Sequence, residues 1–466
     1  MKQINIPPIR IPEFRMPSLG LSTIGLPADR SGNRLAWPSG LKDSIVCWYS
    51  PRKQGLTEYD VIESYAEDFS KFPWHNKIEK YTGTLTPNTL TITNVAFKSN
   101  LIYTNSKPEN FKVYITGLTY DQQIIFGDDT SPYRALIVEK DGIYDVSWEG
   151  IHNSYGIFCN FVGECNIKIT QLPTSKAKDF SANGHDLFLY KFKGKLDSGI
   201  GLYLYDFTSD LRINSAYISY TDIQANSICS LSGHFSGWLF QFKDPNINIA
   251  PLKIKVKGIV NDIFEYWGYN ENGIRFYFKI NKDGVYELPA SYVVETNNGV
   301  GIKCLTDCVD NVCFTQIPDY PNQLCYNGSS YGVAYGLPIL SDYTIIADRT
   351  WFENNGNRVF ANKGNIWPNC AFTFEKINVS LNSETFSFSQ STGIDDLRNK
   401  SGITYQTKQS YNGNPISFGD SSDGEVLVIG GQITGEFVGC HGDILLFNRT
   451  LTDDEITWLK ENWEKL

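Results

Sequence analysis

Lys140-Asp141-Gly142-Ile143-Tyr144-Asp145 returns as Lys282-Asp283-Gly284-Val285-Tyr286-Glu287, and this pair of stretches decides the fold. An Asp-Gly step between apolar runs is the strongest short-range sign of a β-hairpin, because Gly adopts the turn's positive φ without steric penalty. The likeness continues downstream. Tyr155-Gly156-Ile157-Phe158-Cys159 matches the stretch Gly299-Val300-Gly301-Ile302-Lys303-Cys304. The closers Ile169-Thr170-Gln171-Leu172-Pro173 and Phe314-Thr315-Gln316-Ile317-Pro318 match in turn, and Asp68-Phe69-Ser70 and Asp179-Phe180-Ser181 are read as the openers. Matches in a fixed order indicate a duplicated module, expected over residues 67–173 and 178–322.

Within each copy the apolar period is two. Phe111-Lys112-Val113-Tyr114-Ile115 and Leu252-Lys253-Ile254-Lys255-Val256-Lys257 alternate as half-buried strands do. Short strands separated by turn residues predict β-sandwiches. The last segment, 324–466, adds the alternating run Tyr343-Thr344-Ile345-Ile346-Ala347 and ends on a capping box, Thr452 followed by Glu455. Ile456, Leu459, Trp463 and Leu466 then follow at near-helical spacing, so a short amphipathic helix packed on a sandwich is expected. The chain is expected to be all-β, with an extended N-terminal arm, two duplicated sandwich modules and a C-terminal jelly roll.

Composition narrows the function classes. Of 466 residues 14% are aromatic and 41% hydrophobic, which excludes a disordered or collagen-like chain. The net charge of −10 argues against nucleic acid as the main partner, since phosphate binding needs a basic footprint. No apolar run approaches the roughly 20 residues of a membrane span, and no secretory signal is read at the start. Synthesis in a cytoplasm is therefore expected, and the ten cysteines read as buried thiols instead of disulfides. Cys304, Cys308 and Cys313, and the pair Cys159 and Cys165, lack the spacing of a zinc site, so no metal or cofactor is expected.

Residues 1–40 stand apart: they hold six of the twenty prolines and five basic against two acidic residues. Proline fixes φ and biases its predecessor to extended geometry, so this is an extended arm. Its apolar and basic residues suit docking onto a partner, with Ile4, Ile6, Pro7, Pro8, Arg10, Ile11, Phe14 and Arg15 as the anchoring set. Residues 41–66 are read as a linker or adaptor.

Leu324-Cys325-Tyr326-Asn327-Gly328-Ser329-Ser330-Tyr331 and Ile444 to Ile456, with Phe447-Asn448-Arg449 and Leu451-Thr452, resemble the start and end of the laminin-G/concanavalin-A-like jelly-roll family. The wider layout resembles virion proteins of crAss-like, Bacteroides-infecting phages. Ile45-Val46-Cys47-Trp48-Tyr49, Lys53-Gln54-Gly55-Leu56-Thr57 and Asp179 to His185 carry that likeness, with the repeated closers. It implies a fibre or appendage subunit of the head or tail, resident in the virion, joined to other virion proteins by the arm. It also implies a homo-oligomer, with a trimer favoured, and a distal sandwich facing host-surface glycan.

The chemistry weighed against this is sparse. Glu58-Tyr59-Asp60-Val61-Ile62-Glu63 has the E-x-D-x-x-E form of laminarinase-like glycosidases, where two carboxylates serve as nucleophile and acid/base. Thr57 before Asp60 reads instead as a capped helical turn, on which Glu58 and Glu63 do not share a face. No GxSxG, HExxH or P-loop motif occurs, and His185 and His441 read as turn or core residues. Trp351, Phe352, Trp367, Tyr405 and Tyr411 lie beside polar, Gly- and Asn-rich stretches and are the candidate glycan-stacking rings; the alternative is that they fill a core or an interface. Asp342, Asp348, Asp420 and Asp423 are weaker candidates for Ca²⁺. The expected function is a non-enzymatic virion appendage that binds host glycan. The alternatives are a glycan depolymerase or glycosidase, and a purely structural capsid decoration protein.

Overall fold

The computed structural model describes residues 35–71, 73–77, 79–127, 134–150, 152–194, 197–213, 219–224, 226–231, 237–243, 248–293, 299–306, 311–352, 358–364, 370–377, 401–415, 424–431 and 437–466. The chain is all-β: among the described residues the sheets are antiparallel and one helix is longer than a single turn, Asp453–Asn462. The anchoring residues expected in the arm, Ile4 to Arg15, lie outside the described residues, as do Trp367, Asp420 and Asp423.

The largest unit is a two-sheet sandwich assembled from distant parts of the chain. One sheet runs Gly199–Ile200, Leu324–Asn327, Val438–Phe447, Thr344–Trp351, Ser401–Thr407, Ser410–Tyr411, Asn414–Pro415. Ile45–Tyr49 joins it beside Leu324–Asn327, because Val438–Phe447 is long enough to pair with both along one edge. The second sheet runs Lys176–Ala177, Leu187–Tyr190, Tyr331–Tyr335, Val426–Ile429, Arg358–Gly364, Cys370–Ile377. Between them lies one core, including Val46, Tyr49, Leu187, Leu189, Tyr326, Ile345, Trp351, Phe360, Leu427 and Ile444.

Two boundary expectations are corrected here. Residues 41–66 are not a linker: Ile45–Tyr49 is buried along its whole length and belongs to the sandwich. The second copy does not begin at 178, because Leu187–Tyr190 and Gly199–Ile200 are strands of the large sandwich. Asp179 folds the chain back against the first strand, accepting the Trp48 N–H at 3.0 Å and the Ser181 N–H at 2.8 Å.

Each module is an insertion into that sandwich. The first has sheets ordered His75–Asn76, Asn100–Thr104, Tyr155–Cys159, Ile124–Gly127, Arg134–Val138 and Tyr81–Leu85, Thr89–Val95, Gly163–Gln171, Phe111–Thr116, Gly142–Val146. The second repeats this strand for strand, as Leu211–Ile213, Gly237–Phe242, Gly301–Cys304, Phe264–Tyr269, Arg275–Ile280 and Ser219–Gln224, Ser227–Leu231, Cys313–Gln316, Leu252–Lys257, Gly284–Leu288. Its opener is Asp206-Phe207-Thr208. Asp206 accepts the Thr208 N–H at 2.8 Å as Asp68 accepts that of Ser70 at 3.0 Å, and Phe207 and Phe69 are both buried.

The shared motifs have shared physical duties. Tyr144 and Tyr286 donate their hydroxyls to the carbonyls of Lys140 and Lys282, closing the Asp-Gly hairpins. Asp141 accepts from the backbone of Gly117 and Leu118, and Asp283 from that of Ile259. The closer glutamines are buried and tie each module's last strand to its first residues. Gln171 bonds both backbone groups of Glu67, while Gln316 bonds the N–H of Leu204 and both groups of Tyr205. Gly156 and Gly301 pair with the neighbouring strand just beside its bulge; a Cβ would lie 2.8 Å from the Ile102 carbonyl oxygen or 2.2 Å from that of Phe240.

The expectation of thiols throughout is also corrected. Cys229 and Cys313 stand directly opposite on adjacent strands of the second module, Cα atoms 4.0 Å apart, and form a disulfide. Cys47, Cys159, Cys165, Cys304, Cys325 and Cys440 carry thiols outside any disulfide, and Cys308 lies outside the described residues. Burial pushes the Cys47 thiol up to about 12.

The chain closes over the outer face of the first sheet. Thr452 and Glu455 form the capping box, and Arg449 grips the Glu455 carboxylate with two bonds of 2.8 and 2.6 Å, holding it down at about 2. The helix buries Ile456 and Leu459, and Trp463 follows them, against Ile45, Trp48, Leu445 and Phe447. Three such side chains contribute roughly 5–8 kcal/mol as an upper estimate. No helix among the described residues is long and apolar enough to cross a membrane.

Candidate functional site

Most residues selected from sequence turn out to be structural. Trp351 has no exposed surface and packs edge-on against Phe437 with ring centres 4.7 Å apart. Tyr411 is buried, its hydroxyl accepting from Arg349 at 3.3 Å inside the sandwich. Tyr405 lies under the C-terminal helix, with Lys460 4.8 Å from its ring. Phe352 is half-buried and covered by Tyr320 at 4.7 Å. These placements correct the sugar-stacking expectation for Trp351, Phe352, Tyr405 and Tyr411; Trp367 lies outside the described residues. Strand alternation aims Trp351 inward with Ile345 and Ala347, and the polar neighbours mark strand ends, not exposure.

The other candidates resolve similarly. Asp342 accepts the Thr450 N–H and hydroxyl, both at 2.8 Å, and clamps the strand-to-helix turn. Asp348 faces a bulge at Gly442 and Asp443; burial raises its pKa, and the nearby carboxylates of Glu464 and Asp443 add to the effect. Asp443 is raised by burial too, and bonds the Ser50 hydroxyl at 2.6 Å. Among the described residues no group of three or more His, Cys, Asp or Glu could hold a metal ion. Asp60 pairs with Thr57 in a capping box, and Glu63 accepts the Lys191 N–H at 2.7 Å. His441 is a core residue: burial lowers its pKa to about 4 and it bonds the Tyr326 hydroxyl at 2.9 Å. His185 sits in the turn after Asp179.

The residues that remain accessible together lie on the second inserted module. Phe264–Tyr269 and Arg275–Ile280 alternate cleanly: Phe264, Tyr266 and Ile280 enter the core, while Glu265, Trp267, Arg275, Tyr277 and Lys279 face out. The neighbouring strands add Trp238, Gln241 and Lys303. A bulge at Leu239 lets Leu239 and Phe240 both enter the core while Trp238 and Gln241 stay outside.

Register places these side chains in two rows across four strands. Trp238, Lys303, Glu265 and Lys279 make one row; Gln241, Gly301, Trp267 and Tyr277 make the other. Trp238 and Trp267 meet edge to face at 5.4 Å, and Trp267 meets Tyr277 at 4.9 Å. The Lys303 ammonium sits 4.0 Å from the Trp267 ring centre and 5.4 Å from that of Trp238, and the Arg275 guanidinium lies 5.2 Å from Trp267. Such cation–π contacts hold long side chains against the rings at modest entropic cost. Trp267 Nε1 donates to Glu265 at 3.1 Å, which fixes the indole plane. Gly301 adds no side chain beside Trp267, and the Phe240–Gln241 backbone closes over the place where a Cβ would stand. The result is a shallow aromatic surface with amide, carboxylate and cationic groups at its margins, and Tyr277 is 56% exposed on it.

The first module has the same backbone here but a different surface. Gly156 keeps the place of Gly301, Phe158 replaces Lys303, Ile125 replaces Glu265, and Gly127 stands where Trp267 does. Two copies that share core, turns and bulge yet differ on this face separate what the fold requires from what the face does. A second concavity, about 270 Å³, lies where the first module meets the large sandwich, lined by Phe111, Lys112, Asp145, Leu172, Lys176 and Phe188 among others. Its Lys112 and Asp145 pair with each other at 2.7 Å, so their charges are already matched.

No protein-family model matches the chain, and no curated protein matches it. Among solved structures, a sialidase from Trypanosoma rangeli in complex with the inhibitor DANA matches over 82% of this chain and 83% of that one, at 10% identity and a TM-score of 0.20. A likeness that slight carries no argument about fold or activity.

Proposed function

We propose that the chain is a non-enzymatic binding protein, a subunit of a phage virion appendage, that holds host-surface carbohydrate on the aromatic face of its second inserted module. The observation that carries the binding part is the set of Trp238, Trp267 and Tyr277 on adjacent strands, bordered by Gln241, Glu265 and Lys303. Sugar rings present C–H faces that pack on aromatic rings and hydroxyls that need amide or carboxylate partners, and both are here within one side-chain layer. The virion part rests on the Pro-rich N-terminal stretch and on the sequence resemblance to crAss-like phage virion proteins.

In this reading the large sandwich is the scaffold and the inserted modules are its outward-facing units. The sugar then sits on the second module, where Trp238, Trp267 and Tyr277 stand side by side, and not on the last segment. A glycan array probed with the full chain and with Trp267→Ala tests the reading. Binding by the parent chain that falls at least tenfold in the variant is expected. No binding by the parent, or equal binding by both, overturns it.

A further inference from the structure

We infer that the carbohydrate held on this face carries negative charge, as a uronic or other acidic sugar does. The inference rests on the aromatic face being the binding site, and it adds the ligand's charge. Two cations, Lys279 and Lys303, share a row with Trp238 and with one carboxylate, Glu265, and a third cation, Arg275, lies 5.2 Å from the Trp267 ring just beyond the rows. Glu265 is engaged by Trp267 Nε1. Lys303 lies centrally in its row, between Trp238 and Glu265, so a sugar stacked across the two indoles meets the ammonium directly. Arg275, tied to the Tyr269 hydroxyl at 3.2 Å, is held at one end and Lys279 is exposed at the other.

This concentration of positive charge stands on a chain of net charge −10, so general electrostatics does not account for it. Lys303 and Lys279 correspond to Phe158 and Ile137 in the first module, so the sandwich does not need these two cations to fold; the first module keeps one cation on this face, Arg134, held 4.7 Å from the Phe158 ring centre. A neutral sugar would use the rings and give the Lys303 ammonium, held over both indoles, no anionic partner. An acidic one supplies charge-assisted bonds to it.

The test is an array on which each acidic glycan stands beside its neutral counterpart: oligogalacturonate with its methyl ester, and sialylated chains with their asialo forms. The full chain is compared with Lys303→Gln, Lys279→Gln and Trp267→Ala. The expected result is acidic members bound at least tenfold better than neutral partners, about tenfold loss in Lys303→Gln, a smaller loss in the exposed Lys279→Gln, and loss of all binding in Trp267→Ala. Added salt should weaken the acidic signal. Equal or better binding of the neutral members overturns the charge inference and leaves the aromatic site standing. No signal on any glycan overturns both.

Discussion

Replacing Gln316 by Met keeps the side chain's volume but removes its hydrogen bonds, and so tests whether the closer glutamine holds the second module shut. Its amide accepts the N–H groups of Leu204 and Tyr205 at 2.9 and 3.2 Å and donates to the Tyr205 carbonyl at 2.8 Å. At about 1 kcal/mol net per neutral bond, the variant should lose about 3 kcal/mol. The same change at Gln171, which makes two bonds to Glu67, should cost about 2 kcal/mol. Hydrogen exchange on the full chain separates the modules. Gln316→Met should accelerate exchange in the core strands of the second module by about a hundredfold, with the first module unchanged, and Gln171→Met should accelerate it in the first module by about thirtyfold, with the second unchanged. Loss of protection in both modules from either change, or less than a threefold effect, would refute the reasoning.

Other consequences can be measured independently. His441 binds a proton less readily in the folded chain, at about 4, than in the unfolded chain, so its contribution is complete above about pH 6.5. As pH falls through that window to 4, about 3 kcal/mol should be lost. Denaturation midpoints at pH 7.5 and 4.5 should show a pH slope that is reduced in His441→Asn. The Cys229–Cys313 bond closes a separation of 84 residues, so reductant should destabilise the second module by up to about 4 kcal/mol and leave the first unchanged. Intact-mass measurement with and without reductant should report the matching 2 Da change. The trimer proposal predicts a light-scattering mass three times that of the chain; a monomer or dimer mass overturns it.

What could be read from the sequence depended on how local the physics was. The duplication was visible because the Asp-Gly hairpin, the Gly beside the bulge and the closer Gln each do a local job that only certain residues perform. The second opener was misplaced for the same reason. An Asp followed two residues later by Ser or Thr makes the same turn at Asp68, Asp179 and Asp206, and only the last precedes Asp283 by about as much as Asp68 precedes Asp141. The discontinuous sandwich was not visible, since Lys176–Ala177 and Gly199–Ile200 are two residues each and Ile45–Tyr49 pairs with a strand some 400 residues away. The exposed aromatic face is not legible in the sequence because Phe264-Glu265-Tyr266-Trp267-Gly268-Tyr269 is aromatic on both faces. The clearer signal was next door, in Arg275-Phe276-Tyr277-Phe278-Lys279, where charge marks the outer side.

The most direct test of the account uses the best glycan from the array in a calorimetric titration against the full chain, Trp267→Ala and Trp367→Ala. Trp367 is one of the five rings that the sequence puts forward in the last segment, and it lies outside the described residues. If the second module's face holds the sugar, Trp267→Ala should weaken binding at least tenfold and Trp367→Ala should leave it within twofold of the parent. The opposite pattern, with Trp367→Ala silent and Trp267→Ala binding as the parent does, would contradict it.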